Sequence, residues 1–90
     1  MNIVREVLLG VGSAPFWVVV HDGNNNLPKM LEFPSEGTPT YDSLPAAVVA
    51  ATAALKSPGD RAFVVGTGGP SIVPGFSSVI PMPVYHVWAR

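Results

Sequence analysis

The sequence predicts a small α+β domain: a two-layer sandwich with one helix on one face of a mostly antiparallel sheet of four to five strands. Three observations carry that expectation. Residues 41–65, YDSLPAAVVAATAALKSPGDRAFVV, hold a capped helix, a stop signal and a strand. Runs rich in Val, Ile, Phe and Trp, of strand length, flank this stretch on both sides. The chain has 90 residues and no linker composition, which fits one domain over 1–90.

Residues 3–9, rich in Val, Ile and Leu, predict the first strand. Residues 10–15 supply glycines and Pro15 for a connection. Residues 16–21, with Phe16, Trp17 and three valines, form an unbroken apolar run, which predicts a central strand buried on both faces. Asp22, Gly23 and three asparagines make the clearest turn. Residues 29–33 alternate, and read as the hairpin partner of 16–21. Residues 34–39 are loop by composition.

The helix comes next. Asp42 or Ser43 can cap it, and Pro45 suits the first turn, where its missing N–H costs little. Leu44, Val48, Ala51 and Leu55 recur as one stripe of a 3.6-residue period. Residues 57–60, Ser-Pro-Gly-Asp, stop the helix after Lys56. Residues 61–66 and 84–89 predict two further strands, the last alternating Val84, His86, Trp88 against Tyr85, Val87, Ala89. The order is β-β-β-α-β-β, with the three N-terminal strands antiparallel.

The outer helix face is short of charge. From Leu44 to Lys56 there are six alanines and no charged residue before Lys56. Alanine favours a helix on its own account. It also lets a second backbone approach closely at Ala46, Ala47, Ala50, Ala53 or Ala54. Across the chain, charged residues are 12% and apolar residues 48%, with a formal net charge of −1. So little charge favours association. One short helix cannot cover both sides of a sheet holding Trp17, Phe63 and Trp88. Either a loop or a second subunit must exclude water there, so Trp17 and Trp88 join Ala46, Ala50 and Ala53 as candidate interface residues.

Several function classes are excluded or disfavoured. The five Lys and Arg residues form no basic stripe, which argues against nucleic-acid binding. With no cysteine there is no disulfide, thiolate nucleophile or Cys-ligated zinc. The apolar N-terminal stretch is broken by Gly10, Gly12, Ser13 and Pro15 and lacks a cleavage pattern, so neither a membrane span nor a signal peptide is expected. A cytoplasmic location is the default.

Two stretches could carry chemistry. Gly66, Thr67, Gly68, Gly69, Pro70 and Ser71 follow a strand, as anion-cradling loops do, yet no GK[ST] ending or helix follows. The longer connection 66–83 is uncharged and apolar, and connections of that length are often functional. Gly66, Thr67, Gly68, Gly69, Ser71, Phe76, Ser77 and Ser78 are its candidate ligand-binding residues. His21, Asp22 and His86 could serve a small hydrolase only if they converge with a serine. Their spacing predicts no metal site, and no cofactor is implied.

The pattern Tyr41-x-Ser43-Leu44-x-x-Ala47-Val48-x-Ala50-Ala51, then Leu55, Pro58-Gly59 and Arg61-x-Phe63-Val64-Val65, resembles short uncharacterised phage and bacterial α+β accessory proteins. The resemblance covers residues 41–65 and implies a compact accessory role, with no site residues attached. The expected function is a non-enzymatic, self-associating module that binds or sequesters a host protein or small molecule. The alternatives are a virion or assembly component and the small hydrolase.

Overall fold

A computed structural model of the chain describes residues 1–8, 12–21, 34, 36–68 and 81–90. These form one four-stranded antiparallel sheet and a single helix: β1 (Ile3–Val7), β2 (Ser13–His21), α1 (Leu44–Ala53), β3 (Arg61–Thr67) and β4 (Pro81–Ala89). The expected strand at 29–33 lies outside the described residues.

The helix begins as its residues dictate. Ser43, in extended conformation, accepts from the Ala46 N–H at 3.3 Å and is the cap. The helix ends at Ala53, three residues short of Lys56. The Leu55 N–H turns to the Thr52 carbonyl at 3.2 Å, and the Asp60 carboxylate takes the N–H groups of Lys56 and Ser57 at 2.9 and 3.0 Å. Amides that would have extended the ladder thus bind a side chain. Gly59, at φ +96°, turns the chain back and donates to the Ala89 carbonyl at 2.9 Å.

The strand order is β1-β4-β3-β2, every pair antiparallel. This corrects the expected neighbours. The first strand pairs with the last, and β3 and β4, not β2, are inner strands among the described residues. The apolar run in β2 reports burial of its two faces, with Phe16 toward the helix and Trp17 away from it. Burial of faces says nothing about pairing at edges.

The connection 66–83 is also shorter than expected. Gly66 pairs with Met82 and Thr67 with Pro81, so both ends belong to the β3–β4 ladder. Pro81 and Pro83 are tolerated because β1 ends before them and the ladder to β3 shifts register there.

The core lies between α1 and one sheet face. Ala47 and Ala51 are fully buried against Phe16, Ala62, Val64 and Val87, with Leu55 closing the end. The alanines that bring a backbone close therefore meet the chain's own sheet. Ala46 and Ala53 remain exposed.

Candidate functional site

The sheet face away from α1 carries the imidazoles. Alternation puts Trp17 and His21 of β2, Phe63 and Val65 of β3, His86 and Trp88 of β4, and Glu6 of β1 on this side. Phe63 and His86 stack with centroids 4.4 Å apart and planes 3° from parallel, and Trp88 stacks on the other side of His86 at 4.4 Å. His21 meets the Phe63 edge at 6.0 Å. The two histidines share a face, with Phe63 standing between them on the intervening strand. Asp22 lies outside the described residues.

The polarity of this face is incompletely satisfied. His21 is 5% exposed, and neither ring nitrogen has a hydrogen-bond partner. His86 Nε2 is likewise buried and unpartnered, while its Nδ1 lies 3.9 Å from Glu6. Burial holds the His86 imidazole below its ordinary range; the Arg61 guanidinium pushes the same way and Glu6 opposes. His86 is therefore neutral at pH 7. Among the described residues, no group of three or more His, Asp or Glu side chains is placed to hold a metal ion.

A concave feature lies elsewhere among the described residues. Along the helix, Val18 and Val20 of β2, Thr38, Pro39 and Tyr41 of the segment before α1, Ala50 of α1 and its C-cap Ala54 line an open groove of about 210 Å³. Reciprocal backbone bonds between Phe16 and Tyr41, at 2.8 and 2.7 Å, hold its outer wall against β2. Small side chains at Ala50 and Ala54 leave the space. Among the described residues, no titratable group other than the Tyr41 phenol lines it, and its wall is mainly apolar.

Comparison with protein-family models, curated proteins and solved structures finds no match for this chain. The site therefore rests on its own geometry.

Several sequence candidates receive structural explanations. Gly66 is buried in β3, and a Cβ there would meet the Phe16 ring at 2.9 Å; close approach of an aromatic accounts for the glycine. The Thr67 hydroxyl donates to the Ser13 carbonyl at 2.8 Å, tying β3 to the start of β2. Gly68 is buried just beyond β3. Gly69, Ser71, Phe76, Ser77 and Ser78 lie outside the described residues. Trp17 is 2% exposed within the single chain and offers a partner no surface, whereas Trp88 is half-buried. Ala50 was singled out as an interface residue and lines the groove. Ala54, also named as a place of close approach, lines it too, whereas Thr38, Pro39 and Val20 carry no such signal, because they become neighbours only through the Phe16–Tyr41 bridge. Among the described residues, no helix is long and apolar enough to cross a membrane.

Proposed function

We propose that this protein is a non-enzymatic binding module that self-associates and receives an apolar side chain of a protein partner in the groove between α1 and β2. The groove carries this reading. Small-molecule sites usually enclose about 300–1,000 Å³, so a volume near 210 Å³ suits one or two apolar side chains better than a whole ligand. Val20, one of its lining residues, is exposed and adds apolar surface at its mouth. Self-association draws support from the net charge of −1 and the low charged fraction. The resemblance of residues 41–65 implies a compact accessory role, with which blocking or sequestering a host protein is compatible.

A hydrolytic reading has one observation in its favour, two imidazoles on one face with buried nitrogens that lack hydrogen-bond partners, both of His21 and Nε2 of His86. The Phe63 ring between them counts against shared chemistry.

Native mass spectrometry of freshly purified protein tests the proposal. The expected spectrum is a discrete oligomer with no retained small molecule. A monomer at micromolar concentration contradicts self-association, and a stoichiometric small molecule contradicts the protein-partner reading.

A further inference from the structure

Among the described residues, the outer edge of β1 is unpaired. Asn2 and Arg90 exchange backbone bonds at 3.3 and 2.8 Å, and the Leu8 N–H reaches the Val84 carbonyl at 3.1 Å. In an antiparallel ladder, alternate residues bond to the same neighbour, so Val4 and Glu6 also face β4. Ile3, Arg5 and Val7 turn their N–H and C=O groups outward, and no described strand takes them. The opposite side of the sheet is blunted: β2 carries Pro15, and Tyr41 closes the Phe16 main chain. Sheets protect open edges with charged side chains, Lys above all, with Pro, bulges or a covering segment. β1 has no Pro or Lys, its pairing with β4 is regular, and its two charges, Arg5 and Glu6, are adjacent and of opposite sign. Of the five large apolar side chains exposed among the described residues, Met1, Val7 and Leu8 cluster at this strand, Met1 and Val7 each at 63%.

We infer that β1 is a homodimer seam, where two copies pair their β1 strands antiparallel about a two-fold axis at Val4 and join two four-stranded sheets into one. The inference rests on the self-association proposed above and names its surface. Charge selects the register. With the axis at Val4, Ile3 faces Arg5 of the second copy, Met1 faces Val7, Asn2 faces Glu6, and Val4 faces Val4. An axis at Arg5 sets two guanidinium groups opposite each other, and one at Glu6 sets two carboxylates in a close pair; like charges directly opposite are destabilising. Only the first register buries the exposed Met1 against the exposed Val7.

Cysteine capture tests the seam, because the chain has no cysteine of its own. Val4 falls at a non-hydrogen-bonded pair, where Cα atoms lie about 4.5 Å apart, within disulfide reach. Under mild oxidation Val4→Cys should become a covalent dimer at least about tenfold faster than Ala53→Cys on the exposed helix face. Arg5→Pro removes an outward N–H without touching the β1–β4 ladder, and Val7→Lys puts a charge on the seam. Each should weaken dimerisation at least about tenfold by sedimentation velocity. Val7→Lys changes an exposed side chain and keeps the test valid if Arg5→Pro fails to fold. A wild-type oligomer indifferent to both changes, with no faster capture at Val4, overturns the seam and leaves self-association standing. A wild-type monomer at about 100 μM overturns both.

Discussion

His86 shows how one residue couples packing to pH. Its ring is held between Phe63 and Trp88 with a buried nitrogen unpaired. An unfolded histidine titrates near 6.5, and the folded one lower. Between those values the unfolded chain binds the extra proton, so stability is intact above about pH 6.5 and falls as pH drops below it. His86→Phe keeps the stack and removes the orphan nitrogen, whose burial costs about 1–3 kcal/mol. Its melting temperature at pH 7 should equal or exceed the wild type, and the loss as pH falls below about 6.5 should flatten. Asp60 acts at lower pH: backbone donation from Lys56 and Ser57 holds its carboxyl below 3.8, so its contribution is present above that value and lost below it. Alternation in the last strand already placed His86 and Trp88 on one side. Gly66 was illegible, because a glycine after a strand suits an anion cradle and a close aromatic equally; the deciding Phe16 is fifty positions away.

At the scale of the element, the helix was the most legible part. Ser43, Pro45, the Leu44-to-Leu55 stripe and Gly59 all act as their chemistry predicts. The weight carried by Ala47 and Ala51 was less so, since small residues suit exposed and tightly packed faces alike. Both are fully buried, which makes the helix–sheet spacing sensitive to one side chain. Ala51→Leu should cost about 1–3 kcal/mol through overpacking, whereas Val49→Leu, at a position 70% exposed, should stay within about 0.5 kcal/mol. Chemical denaturation of the two variants checks the contrast. Strand limits were less readable. The prolines at 81 and 83 argue against a strand until one knows that β1 stops short of them.

Across the whole molecule, local patterns could not give the strand order. β1 and β4 lie at opposite ends of the sequence, and nothing in either names the other. The aromatic content did predict that both sheet faces exclude water. Of the two tryptophans named as interface candidates, Trp17 is already buried within one chain, as is Phe63 beside it on the same face. Those side chains do not call for a twin; the proposed seam rests instead on the edge of β1, unpaired among the described residues, and on the exposed Met1 and Val7. The proposal thus places self-association at the sheet's rim and not on its face. The groove and the rim lie on opposite sides of the sheet's strand order, at β2 and β1, so a dimer built through β1 leaves both grooves free for partners.

Amide-resolved hydrogen exchange of β1 at high and low protein concentration measures this most directly. Val4 and Glu6, bonded to β4, serve as internal references. The expected result is that the Ile3, Arg5 and Val7 amides exchange as slowly as those two in concentrated solution and lose their protection on dilution. Rapid exchange at those three positions at every concentration, with Val4 and Glu6 still protected, would contradict a β1 seam.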